Sequence, residues 1–386
     1  MADRAIIGGR AFTPEPIDGR AIVLIAGDRI KAVGPENETP LPTNCDTIQA
    51  SGCLILPGLI DLHTHGLLGS DAMGDGLAQA IADYPSRGVT GFLATTLARP
   101  ADDILPALEK MDRILSAPPP GSQCLGIHLE GPYLAADQAG MANPSHTKDF
   151  EWSEFERFQA ASGQRIRCLT LAPERVTDRS DFDRLTASGV LISLGHTGAS
   201  FQQTQDAISA GASRATHLFN AMGGIHQRSP GAAIAALLDD RVVAELIADG
   251  VHLAPALLEL AVRLKGAARI VAVSDSSPQA GLPDGEYLWG DSEVQVRDHR
   301  CQLADGTLAG SWYGLDQSIR TLVLDCGLPI PTAAAMATRT PSDSLRLSDR
   351  GRLSPGSRAD LCLLDSDLVP IHTIVAGKTV WRADQT

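Results

Sequence analysis

"CLILPGLIDLHTHG", residues 53–66, carries an apolar run directly into two histidines two positions apart. A short run rich in Leu and Ile, without polar alternation, reads as a strand buried on both faces, the pattern of a parallel sheet. In an extended chain residues i and i+2 share a face. His63 and His65 therefore project side by side where the strand ends, and two adjacent imidazoles there suggest a metal site.

The same pattern recurs along the chain. "GVTGFLATT" (88–96), "CLGIHLEGP" (124–132), "RIRCLTLAPE" (165–174), "GVLISLGHT" (189–197), "SRATHLF" (213–219), "RVVAELIADG" (241–250) and "ARIVAVSDS" (268–276) each place an apolar run before polar residues. Amphipathic stretches such as "DDILPALEKMDRIL" (102–115) and "SFQQTQDAISAG" (200–211) lie between them. Strands alternating with helices imply a parallel sheet with right-handed crossovers, and eight such units predict an α/β fold closed as a (β/α)8 TIM-like barrel. The ends read differently. "RAIVLIAGDRIKAVGP" (20–35) and "RADLCLLDSDLVPIHTIVAGKTVWRA" (358–383) carry hairpin signals. The expected organisation is thus 1–52 as the N-terminal part of a small β-sandwich, 53–349 as the barrel, and 350–386 as the C-terminal part of the sandwich.

The totals narrow the function. At 386 residues, 44% hydrophobic and 20% charged, the composition is that of a globular protein with a large core. Seven scattered cysteines without a CxxC pair point to reduced thiols in a cytoplasmic setting. "MADRAIIGGRAF" has charges where a secretory signal has its apolar segment, and no run approaches the length of a spanning helix. A net charge of −14 disfavours nucleic acid and anionic membranes as partners. It leaves room for a small anionic substrate held by a local arginine.

Barrel active sites are built at the C-terminal ends of the strands. Those ends carry His63 and His65 (first), Glu130 (third), His196 (fifth), His217 (sixth), His252 just past the seventh, and Asp275 (eighth). Each alone has an ordinary explanation, as a core histidine, a helix cap or a turn residue. Their convergence on one face is hard to obtain by accident. Imidazoles with carboxylates suit Zn²⁺, Fe²⁺, Mn²⁺ or Co²⁺ better than Ca²⁺ or Mg²⁺. None of the five lysines ends a predicted strand. Glu130 is therefore the best-placed bridge between a His63/His65 position and a His196/His217 position, giving one or two ions per subunit. His128, two residues before Glu130, is expected to support the site. His226 reads as a loop or supporting residue, and His299 and His372 as solvated.

Taken together, the sequence resembles the amidohydrolase superfamily and, within it, the N-acetylglucosamine-6-phosphate deacetylase group. The matching stretches are "LPGLIDLHTHG" (56–66), "GIHLEGPYL" (126–134), "LAPE" (171–174), "GHTGAS" (195–200), "THLFNAM" (216–222), "ELIADGVH" (245–252), "LPDGEY" (282–287) and "LADGTLAGS" (303–311). The resemblance implies a barrel with a β-sandwich and a homodimer. It implies that Glu130, His196 and His217 are the principal metal ligands, and that His63 and His65 correspond to the extra histidines of two-metal members. It makes Asp275 the general base and acid, and makes Asn220, the Ala221 backbone, Arg228 and His252 the holders of a sugar phosphate, with the arginine reaching across the dimer. Two departures stand out. Ala142, in "AGMANP" (139–144), takes the place of a histidine that helps polarise the substrate carbonyl, with His146 four residues later as a substitute. The "TDA" around the acid is "SDS" (274–276) here. The implied reaction is hydrolysis of the acetamide of N-acetylglucosamine-6-phosphate. The alternatives are the galacto epimer, a D-aminoacylase- or dihydroorotase-like amide hydrolase, and a catalytically dead barrel kept as a binding module.

Overall fold

In the computed structural model, which describes residues 2–13 and 15–384, the chain begins with β1 (Arg4–Ala11), β2 (Ala21–Ala26), β3 (Arg29–Pro35) and β4 (Asp46–Gln49). The apolar run at 53–64 is not one strand, as its pattern predicts, but two. It divides at Pro57-Gly58 into β5 (Leu54–Pro57) and β6 (Leu59–Thr64). Gly58 is required there, because a Cβ would stand 2.1 Å from the Thr90 hydroxyl.

From β6 the expected series follows: β7 (Val89–Thr95), β8 (Gln123–Glu130), β9 (Ile166–Leu171), β10 (Leu191–Leu194), β11 (Arg214–Ala215), β12 (Val243–Ile247) and β13 (Ile270–Val273). These eight strands form one parallel sheet in sequence order. At the seam between last and first strands, the Asp275 N–H donates to the His63 carbonyl (2.9 Å) and the His65 N–H to the Ser276 carbonyl (2.9 Å). The barrel is thus stitched at the residues singled out from sequence. Helices cover the outside. Ala101–Ser116, for example, buries Ile104, Leu108 and Met111, spaced to share one helical stripe.

The alternate side chains of the strands form a separate apolar cluster that includes Leu62, Leu93, Cys168, Ile247, Val271 and Val273. Beside it lies a polar layer in which hydroxyls bond one another: Thr170 to Thr216 (2.7 Å) and Ser193 to Thr216 (2.6 Å). An antiparallel sheet of β14 (Gly285–Trp289), β15 (Ser292–Arg297) and β16 (Arg300–Gln302) follows the eighth barrel strand.

The last strands, β17 (Leu361–Leu364), β18 (Pro370–Val375) and β19 (Lys378–Arg382), join the N-terminal ones in the order β19-β18-β17-β5-β1-β2-β3, with β4 on β1. β1 serves both halves of this sheet. Residues 4–7 pair with β2 and β4, Gly9 pairs with β2 beyond an irregularity after Ile7, and residues 10 and 11 pair with β5. Ile6, Val23, Ile25 and Ile55 share one buried core with Leu361, Leu363 and Ile374, so both chain ends fill it.

His299 is exposed and stacks on Trp312, with ring centroids 4.2 Å apart. His372 departs from expectation. It is buried on β18, its Nε2 2.8 Å from the Thr379 hydroxyl. Burial, together with the charges of Arg382 and Arg4, lowers its pKa from 6.5 to about 4. The unfolded chain therefore binds a proton more readily than the folded one between those values. The contribution is present above pH 6.5 and lost as pH falls toward 4. His372→Asn should accordingly flatten the fall of Tm between pH 7 and pH 4.5 in a thermal-denaturation series; an unchanged slope would contradict this.

Candidate active site

Strand β10 ends at Leu194, β11 at Ala215 and β13 at Val273. His196, His217 and Asp275 each stand two residues beyond those ends, with φ of 47°, 26° and 48°. Left-handed backbone at a non-glycine residue is unfavourable by about 1–3 kcal/mol and persists where the surroundings hold it. Here it turns three strand exits, bringing their side chains together over the barrel mouth.

Glu130 lies at the centre. Its Oε1 is 3.3 Å from His63 Nε2 and 3.2 Å from both His196 Nε2 and His217 Nε2, while Oε2 is 3.2 Å from His65 Nε2. Asp275 Oδ1 lies 3.4 Å from His63 Nε2 and 3.2 Å from His65 Nε2. All six side chains are buried. Burial opposes ionisation of both carboxyls, but the histidines reverse it. The close approach of His63 and His65 holds Asp275 down at about 2. The close approach of His63, His196 and His217 holds Glu130 well below the usual carboxylate range.

The residues fit a divalent metal. His196 Nε2 and His217 Nε2 point at one another across 3.0 Å, and His63 Nε2 is buried with no hydrogen-bond partner. Such nitrogens call for an electrophile between them. Ligands placed tetrahedrally about 2.0 Å from a zinc-sized ion stand about 3.3 Å apart. The atoms here are spaced 3.0–3.4 Å. They form two groups, His63 with His65 and Asp275, and Glu130 with His196 and His217, which meet at Glu130.

A supporting layer was mostly missed in the sequence. Glu245, fully buried on β12, sits 3.0 Å from His63 Nδ1 and accepts from Arg214 Nη2 at 2.8 Å. Such a carboxylate fixes the ring so that Nε2 keeps its lone pair for a metal. A glutamate inside the apolar run "VVAELI" was the available signal. Arg214 also donates to the Ser344 hydroxyl (2.8 Å). Asp61 accepts from the Ser274 hydroxyl at 2.5 Å, and burial raises its carboxyl to about 7 despite that bond. His128 bonds the Leu62 carbonyl (3.1 Å) and the Thr170 hydroxyl (2.7 Å), and burial lowers it to about 4.

A cavity of about 240 Å³ opens above the cluster. Asn220, Ala221, His252 and Ala142 line it, along with the Trp289 and Leu308 contributed by the inserted segment. His252 donates from Nδ1 to Asp249 (2.8 Å), which also accepts from Ser311 (2.7 Å), leaving Nε2 free for a ligand. His146 does not substitute for the histidine replaced by Ala142. It lines a separate surface pocket with Ser145 and Lys148. Arg228 and His226 are exposed on the 223–230 loop, outside this cavity, where the Arg228 N–H donates to His226 Nδ1 (3.3 Å).

Glu130 touches four ligand-type nitrogens drawn from both groups, so Glu130→Gln should lower bound metal, read by elemental analysis after equal loading, further than His65→Asn or His196→Asn does. Glu245→Gln should weaken metal binding about 10–100-fold in chelator competition. Glu245→Ala, which strands the Arg214 charge, should cost about 3–5 kcal/mol in denaturant unfolding. Wild-type behaviour of either Glu245 variant would contradict the supporting role.

The family model described as "Amidohydrolase family" matches residues 54–380. An N-acetylglucosamine-6-phosphate deacetylase of Lysinibacillus sphaericus is 35% identical over 86% of this chain and 87% of its own. An N-acetylgalactosamine-6-phosphate deacetylase of Escherichia coli O157:H7 is 36% identical over 85% and 88%. A solved structure of a mutant N-acetyl-D-glucosamine-6-phosphate deacetylase from Mycobacterium smegmatis, in complex with N-acetyl-D-glucosamine-6-phosphate, superposes with a TM-score of 0.91 at 33% identity, covering 98% of this chain and 100% of that one. With its strand-end histidines gathered round one glutamate, the chain belongs to the amidohydrolase family.

Proposed function

We propose that this protein hydrolyses the acetamide of N-acetylglucosamine-6-phosphate to glucosamine-6-phosphate and acetate. The observation that carries the reading is Asp275 Oδ1, set 3.2 Å and 3.4 Å from two ligand-type histidine nitrogens in the cavity. The relatives' deacetylase activity supplies the substrate class.

Glu130, His63, His65, His196 and His217, with Asp275, would hold one or two divalent ions. Zinc suits the donor set best, with iron, manganese or cobalt as alternatives. Such an ion supplies Lewis acidity, lowering the pKa of water and polarising a carbonyl. Asp275, ionised and buried, orients the attacking water, takes its proton and delivers it to the leaving amine. His252, held by Asp249, turns Nε2 toward the substrate, and Asn220 with the Ala221 backbone faces the sugar. Neither lysine nor arginine lines the cavity among the described residues. The phosphate therefore draws its cation from outside it, and exposed Arg228 of a second subunit is our assignment, in a homodimer. Free cysteines suit a cytoplasmic enzyme, and no helix is long and apolar enough to cross a membrane. One relative, that of E. coli, is named for the galacto epimer, but the others are gluco deacetylases, so the galacto reading is not favoured.

The test is amine release by metal-loaded enzyme from N-acetylglucosamine-6-phosphate, its galacto epimer and unphosphorylated N-acetylglucosamine. Preference for the phosphorylated gluco compound is expected. Asp275→Asn should lower kcat roughly 10²–10⁴-fold, and near-normal turnover by that variant would remove Asp275 from the mechanism.

A further inference from the structure

The cavity has two walls of opposite character. Past β11 and β12 stand Asn220, Ala221 and His252, which offer polar groups. Facing them, past β7 and β8 and at the end of β14, stand Leu97, Ala98, Leu134, Met141, Ala142 and Trp289. Ala98, Leu134 and Ala142 belong to one buried apolar cluster, and Leu97, Met141 and Trp289 to a second. Both clusters border the ligand histidines. The Trp289 ring centroid lies 5.2 Å from that of His65. A Cβ on Gly140, two residues before Ala142, would stand 3.4 Å from the His196 ring.

An amide set over the histidines points its amine substituent to one wall and its acyl chain to the other. A sugar phosphate needs the polar wall, which leaves the acyl chain on the apolar one. Six apolar side chains offer more surface than one acetyl methyl can cover. At Ala142 a methyl stands where the motif resembled in sequence has an imidazole, which removes bulk from this same wall. We propose that the wall is an acyl recess, with Ala142 setting its depth, and that the chain hydrolyses N-propionyl and N-butyryl as well as N-acetyl amino-sugar phosphates. The inference rests on the deacetylase reading above. The chemistry is unchanged. Water adds its oxygen to the acyl carbon and gives one proton to Asp275, the C–N bond breaks as the amine takes that proton, and the acid gives up its own proton to the released amine, so the products are carboxylate and ammonium.

The experiment compares kcat/KM of the metal-loaded full chain for N-acetyl-, N-propionyl- and N-butyryl-glucosamine-6-phosphate, with acid products identified by mass spectrometry. A recess keeps the butyryl value within about thirtyfold of acetyl, whereas a site shaped for acetyl rejects each added methylene by about 10–200-fold. Ala142→Leu and Ala142→His should each lower the butyryl-to-acetyl ratio by about tenfold or more. A larger wild-type fall than thirtyfold, or ratios unmoved in both variants, overturns the recess while leaving deacetylation standing. Turnover of none of the three by protein of full metal content overturns the deacetylase reading and the recess together. The wild-type series decides even where a variant does not fold.

Discussion

One carboxylate orders the mouth of this barrel. Glu130 has four imidazole nitrogens within 3.3 Å, from the first, fifth and sixth strands, and is itself buried. A charge so far from water is tolerated only where compensating groups surround it. Four rings crowded on one acid are in turn tolerated where their lone pairs share cations. The interior beneath reflects the same demand: Glu245 and Arg214 hold His63 from behind, and hydroxyls on three strands bond one another and His128.

Barrel closure and site assembly are one event. The two seam bonds join His63 to Asp275 and His65 to Ser276, so the register that closes the sheet also sets Asp275 against both histidines. The left-handed turns at His196, His217 and Asp275 concentrate backbone strain where the buried imidazoles and carboxylates meet. Such strain needs a rigid frame, supplied by β6 and β7 with every residue buried.

Much of this was legible in the sequence, for identifiable reasons. Parallel strands buried on both faces announce themselves as apolar runs, and a barrel puts its chemistry at strand ends, so His63, His65, Glu130, His196, His217 and Asp275 were readable from strand order alone. What failed was what local pattern does not encode. Gly58 hands one half of an apolar run to a different sheet, a choice made by β1 and β17, hundreds of residues apart. His372 reads as solvated until β18 and β19 pair over it. His146 is near the motif in sequence, but its short 3-10 turn faces another pocket. Trp289 belongs to an inserted sheet that the eight-unit pattern does not predict.

The strand β5 lies between β1 and β17 and leads through Gly58 into the first ligand strand. During synthesis all six metal-type side chains exist once residue 275 has been added, yet the flank that anchors β5 arrives only with residues 361–364. Folding as whole units from the N-terminus is the ordinary course on the ribosome, but the small sheet draws its strands from both flanks of the barrel, so one edge of β5 is paired only after the barrel strands have been made. The strand that leads into His63 and His65 is thereby held by a segment from the far side of the barrel sequence.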